Sequence, residues 1–408
     1  MANETFLRGN CIAPFYDASR FPSDEVTRGR LCAPIGGLPG TPTCCLPCPA
    51  TDWSYSDSFK TYDRIASWLN VAGLVLMVFM LVSYVVLPAQ KTRSHYLSVC
   101  LVVSCMMLSI GFIIPLAAKP DQCFNEITPH DMYSSGECAW SGAFLLAGGL
   151  SATLWIFIRA LSMNLQICWD IVPGRRFFYL SQAIGWGIPA ALFAASMSIT
   201  GVSFRFGTAC HINHETSMQD FWGPLLGFAG AAGVLQLFTF AYCVKVYLQS
   251  LWTDQSSTAG SDDTGLPSYT SSVRAQTASA VFRRLKKVLW LQWRGITIVS
   301  IILVDVVFFA IVFVYLDDLQ ASVLTDWHKV EPWLECLAFH PNDKDECLSL
   351  VNNFVVTEST VVAVLLLLSL AGFQCFIFLT RPEIFPAWGE YIYGKIWPQR
   401  QEFVSLDA

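Results

Sequence analysis

CAWSGAFLLAGGLSATLWIFIRAL runs from Cys138 to Leu161, and the link DIVPGRR follows at Asp170–Arg176. QAIGWGIPAALFA then occupies Gln182–Ala194, and the stretch closes on ACH at Ala209–His211. With its flanks, each apolar run is long enough to cross a bilayer at about 1.5 Å rise per residue. Arg175 and Arg176 in the link carry the charge expected of a cytoplasmic loop. A cysteine stands at the outer mouth of each limb. A bond between Cys138 and Cys210 would pin the start of one span to the loop after the next.

Composition extends this reading to the whole chain. Of 408 residues, 54% are hydrophobic and only 14% charged, and mean hydropathy is +0.47. Soluble domains carry about a quarter charged residues. The apolar residues fall into seven runs: Ile65–Leu87, Tyr96–Ala118, Ala139–Met163, Phe178–Thr200, Phe221–Leu248, Val288–Leu316 and Phe354–Thr380. The fold expected is an all-α, seven-span membrane bundle at residues 65–380. A net charge of -6 without a basic-aromatic patch gives no reason to expect nucleic acid.

Lysine and arginine set the orientation. One set of connections holds Lys91, Arg93, Arg175, Arg176, Lys245, Arg274, Arg283, Arg284, Lys286, Lys287 and Arg294. The opposite loops hold Lys119, Arg205, Lys329 and Lys344 among many acids. This places the N-terminus outside and the C-terminus inside, against the weaker contrary signal of Lys60 and Arg64. Ten cysteines then face the oxidising side: Cys11, Cys32, Cys44, Cys45, Cys48, Cys123, Cys138, Cys210, Cys336 and Cys347. Such an even set suits disulfides. The sequon Asn3-Glu4-Thr5 lies on that side too.

Residues 1–64 are polar and rich in proline and glycine, with a dense patch Cys44-Cys45-Leu46-Pro47-Cys48-Pro49. Cys45-x-x-Cys48 has the spacing of half a zinc site, but no second pair completes it, and a disulfide-stapled cap is the better reading. If Cys138 joins Cys210 and Cys336 joins Cys347, the remaining six are five in the cap and Cys123. The cap is then stapled to the first outer loop, with connectivity left open.

Gly148-Gly149 in span three permits close helix approach. Gly185-Trp186-Gly187-Ile188-Pro189 in span four sets a large apolar anchor between two glycines, with a kink just beyond. This G-W-G-x-P motif, with a cysteine opening span three and another in the second outer loop, resembles the secretin/adhesion-type G-protein-coupled receptors. Frizzled and cyclic-AMP receptors share looser versions. With the cap, the chain resembles the fungal seven-span receptors described as secretin-like. The resemblance implies a bundle that senses an extracellular ligand and exchanges nucleotide on a heterotrimeric G protein at the plasma membrane. It also implies the Cys138–Cys210 pairing. The rhodopsin-type D-R-Y, C-W-x-P and N-P-x-x-Y markers are missing.

Asp305 sits at mid-span in IILVDVVF, and Glu358 lies about a turn inside the outer end of span seven. An acid at such depth is a ligand counter-charge, an ion site or an interhelical hydrogen bond. These two, with Trp186, are the candidate pocket residues. Arg159, near the inner end of span three, either snorkels or anchors the cytoplasmic face. Within the third inner loop, residues 249–287, the basic run Arg283, Arg284, Lys286 and Lys287 is an interfacial helix end or the G-protein contact. The third outer loop, residues 317–353, is acidic. In the tail, residues 381–408, Trp388, Ile392 and Ile396 recur every four residues, as on a helix lying at the membrane surface.

Two other classes compete. A transporter or channel would use Asp305, Glu358 and Arg159, but no inverted repeat stands out. An enzyme would need a catalytic set, and none of the six histidines lies deep in a span. No cofactor is expected.

Overall fold

The computed structural model describes residues 6–22, 29–34, 42–92, 95–213, 216–258, 296–297, 299–312, 327–340, 343–351 and 355–396. Six helices have the length and apolarity to cross a membrane. They are Ser58–Val86 (span one), Tyr96–Ala118 (two), Gly136–Cys168 (three), Arg175–Thr200 (four), Met218–Val246 (five) and Glu358–Leu379 (seven). The shorter apolar helix Val299–Val312 supplies span six. The seven-helix bundle expected from the apolar runs is the fold observed.

Span three is the central post. Its apolar window is 67% buried, against 22% for spans four and five, which turn most of their surface to lipid. Without a hydrophobic drive between helices in lipid, small residues and interhelical hydrogen bonds decide which faces meet. A Cβ on Gly148 would lie 2.6 Å from the Leu108 backbone of span two, whereas one on Gly149 would meet only Phe221 at 3.8 Å. Only the first glycine of that pair seats a neighbouring helix. Ser141 Oγ donates to Gly111 O at 2.7 Å, and Asn164 Nδ2 to Thr239 Oγ1 at 2.9 Å, tying span three to spans two and five.

Spans four and five both reach the cap side through a π-helical turn, Ser196–Thr200 and Met218–Trp222. The two turns lock together: Thr200 Oγ1 donates to Asp220 Oδ2 at 2.8 Å, and Ser196 Oγ to Asp220 O at 3.1 Å. The widened helix ends are thereby hydrogen-bonded instead of left open.

The cap is a three-stranded antiparallel sheet in which Thr43–Cys45 pairs with Tyr16–Asp17 on one side and Cys32–Pro34 on the other. Disulfides Cys11–Cys44 and Cys32–Cys45 close it, and Cys48–Cys123 fastens it to the first loop on this side. Its interior is only partly its own. Cys11, Phe15 and Leu46 bury themselves against Trp333, Leu337, Cys347 and Val351 of the third loop. That loop carries the helix Trp327–Phe339 and the disulfide Cys336–Cys347. Lys344 Nζ pins it further, donating to Asp57 Oδ1 at 2.8 Å and Asp52 O at 2.7 Å.

Between cap and bundle lies the hairpin Val202–Phe206 / Ala209–Ile212. Cys138–Cys210 ties it to the start of span three, and Thr208 Oγ1 donates to Asp63 Oδ2 of span one at 2.8 Å. It therefore crosses the mouth of the bundle from span three to span one. On the opposite face the helix Ile384–Ile396 buries Ile384 and Ala387 against Leu87. Trp388 Nε1 donates to Ser83 Oγ at 2.9 Å, and Lys91 pairs with Glu390.

Candidate functional site

The three candidate pocket residues stand in three places. Glu358 is the first residue of span seven, where the positive end of the helix dipole favours a carboxylate. Its Oε2 accepts from Ser56 N at 2.9 Å and its Oε1 from Ser56 Oγ at 2.8 Å. It lines a cavity of about 820 Å³ between the cap-side ends of spans one and seven. Tyr55 lies beside it, 3% exposed and stacked on Phe59 at 4.7 Å. Burial pushes the Tyr55 phenol above its ordinary pKa, and the Glu358 charge adds to this. The Tyr55 hydroxyl has no hydrogen-bond partner among the described residues.

Asp305 is half-buried in span six, where its side-chain partner is Gln374 of span seven. The Gln374 Oε1 has no partner among the described residues. Trp186 belongs elsewhere. Its ring meets Trp155 of span three edge-on at 5.6 Å, and its Nε1 donates to Gln182 Oε1 at 3.2 Å. It is a wedge between spans three and four, remote in role from the two acids.

At the other end, Arg159 Nη1 donates to Ser98 Oγ of span two at 3.0 Å, with Tyr84 and Cys375 nearby. Arg283, Arg284, Lys286 and Lys287 lie outside the described residues, as does Asn3. All ten cysteines expected on the cap side are in disulfides. The sulfurs of Cys45 and Cys48 are thus spent in separate bridges and offer a metal no thiolate pair. Cys336, His340 and Cys347 do gather their ligand atoms within 4.8 Å, but the first and last are bonded to each other, and a metal needs free thiolates.

The description "7 transmembrane receptor (Secretin family)" matches residues 58–325, from the start of span one into the third cap-side loop. The chain belongs to this receptor family. The receptor is also 44% identical over 414 residues to a protein of Aspergillus fumigatus named G protein-coupled receptor gprM. The match takes in 100% of the receptor's chain and 82% of that relative. The receptor family replaces the transport reading.

Several polar residues of the receptor carried no distinguishing mark in the sequence. Asp131 organises the loop before span three, accepting from Tyr133 N at 3.0 Å, Ser134 N at 2.9 Å and Ser134 Oγ at 2.8 Å. Asp63 holds the hairpin. Cys105 and Cys375 bring their sulfurs to 3.3 Å between spans two and seven. Asp63 and the Cys105–Cys375 pair owe their roles to partners far away in the chain, which spacing alone does not reveal, and Asp131 to a local turn with Tyr133 and Ser134.

Proposed function

We propose that the receptor senses a ligand at the capped face and activates a heterotrimeric G protein at the other, as a multi-pass protein of the plasma membrane. The capped face would be extracellular and the face carrying the Ile384–Ile396 helix cytoplasmic. The observation that carries this reading is the asymmetry of the bundle ends. One is closed by a hairpin and five disulfides, which form in oxidising compartments. The other connections are basic and lack them. The name of the Aspergillus relative supports the same output. Arg159 and the run Arg283, Arg284, Lys286 and Lys287, which precedes span six in the sequence, are the residues we assign to the transducing face.

The test needs no ligand. The receptor is reconstituted in nanodiscs and mixed with nucleotide-free heterotrimeric G protein from a fungal source. Co-elution that guanine nucleotide reverses, and that replacing Arg283, Arg284, Lys286 and Lys287 by Ala abolishes, is the expected result. Co-elution insensitive to both would remove this assignment of the contact.

A further inference from the structure

Spans one and seven come backbone to backbone at a pair of glycines. A Cβ on Gly372 would lie 3.0 Å from the Gly73 Cα. Toward the cap, the cavity of about 820 Å³ begins at Leu366, six positions above Gly372, and runs up to Thr357, with Tyr62 of span one on its wall. At about 1.5 Å per residue that is a groove roughly 14 Å long. Its volume lies in the range of small-molecule sites, roughly 300–1,000 Å³.

The groove opens sideways. Tyr62, on its rim, is 43% exposed, and Ile65 one turn further along span one is 46% exposed. Val362, Ala363 and Leu366 belong to the apolar helix of span seven, so the deep part of the opening lies at membrane depth. The lining is two-ended. Val362, Ala363 and Leu366 form the deep, apolar part, and Glu358, Thr357, Ser359 and Ser349 form the upper, polar part.

Charge decides the head group. Glu358 holds two hydrogen bonds from Ser56 and no cation among the described residues. Lys344, on the neighbouring loop, is already held by Asp57 and the Asp52 carbonyl. A carboxylate at the membrane boundary with no counter-charge favours a cationic partner. The unpartnered Tyr55 hydroxyl lies beside it.

We infer that this groove is a binding site for a membrane-borne, single-chain amphiphile with an ammonium head. The ammonium meets Glu358, and the chain lies along Val362, Ala363 and Leu366. The site is distinct from the G-protein contact, and its test reads occupancy, not nucleotide exchange.

The probe is a long-chain alkyl amine carrying a diazirine and an alkyne, applied to the full receptor in phosphatidylcholine nanodiscs. Photolabelling is mapped by peptide mass spectrometry. The expected result is labelling at Tyr62 and along residues 362–366, chased by unlabelled long-chain amine but not by the carboxylic acid or alcohol of equal length. Glu358→Gln lowers labelling about tenfold, the effect of losing one charge-assisted contact. Ala363→Trp fills the groove and abolishes labelling while leaving the Glu358–Ser56 bonds in place, which covers the case of a poorly folding Glu358 variant. Labelling undiminished in Ala363→Trp would mean simple partition into surrounding lipid and overturn the site. Equal chase by the acid or alcohol would overturn the ammonium head. Equal chase by a short, water-soluble amine would overturn the membrane-borne occupant.

Discussion

Gly73 of span one and Gly372 of span seven meet without a side chain between them: a Cβ on Gly73 would lie 3.5 Å from the Gly372 Cα, and one on Gly372 3.0 Å from the Gly73 Cα. Met77 Cε also stands 3.0 Å from the latter position. A larger residue must push the helices apart at the foot of the groove. Gly372→Leu is expected to cost about 1–3 kcal/mol, the usual penalty of overpacking. Thermal unfolding in detergent checks it, and an unchanged midpoint would refute the close contact.

The two glycines of the G-W-G motif differ in their surroundings. A Cβ on Gly185 would sit 2.5 Å from the buried ring of Trp155, while one on Gly187 would meet nothing within 4 Å. Gly185→Ala should therefore destabilise by about 1–3 kcal/mol. Gly187→Ala should be neutral or stabilise by up to about 1 kcal/mol through helix propensity. Paired melting curves decide between this and a motif whose glycines act alike.

Cys138–Cys210 joins positions 72 apart, Cys336–Cys347 positions 11 apart. Chain entropy makes the longer closure worth about 1.7 kcal/mol more. Replacing Cys138 and Cys210 together by Ser should lower surface level and thermal midpoint more than the same change at Cys336 and Cys347. Equal losses would show that the outer bridge holds structure beyond its own short loop.

His95 caps span two at the face opposite the disulfides, its Nδ1 accepting from Leu97 N at 3.4 Å. Burial, and then the Arg159 charge, hold its imidazole below the ordinary value of 6.5. Unfolding frees it to bind a proton more readily, so this stabilisation is complete above about pH 6.5 and is lost as pH falls below that. The receptor should melt earlier at about pH 5.5 than at about pH 7.5, and His95→Asn, which keeps a capping acceptor, should narrow that difference. A pH response identical in the variant would assign it to another group.

The spans were legible because lipid demands long apolar runs, and span two coincides with its run at Tyr96–Ala118. Span three begins earlier than its run because helix and apolar surface answer to different causes. Ser135 caps it, with Cys138 N donating to Ser135 Oγ at 3.2 Å, so the helix starts before the membrane does. The site was less legible. Whether Trp186 faces a pocket or Trp155 depends on the rotation of span four about its axis, which its own residues do not fix. Asp63 looks like an ordinary polar residue until Thr208, 145 positions away, is brought to it.

The shared interior of cap and third loop has a consequence for how the chain is made. Trp333, Leu337 and Val351 are synthesised about 290 residues or more after Phe15 and Leu46, against which they pack. At about 5–20 residues per second, the cap waits roughly 15–60 s for the other half of its interior. Of its five cysteines, four pair within the cap and Cys48 pairs with Cys123, so the bridges close around a half-filled interior. A fragment ending before span one would never acquire the missing half.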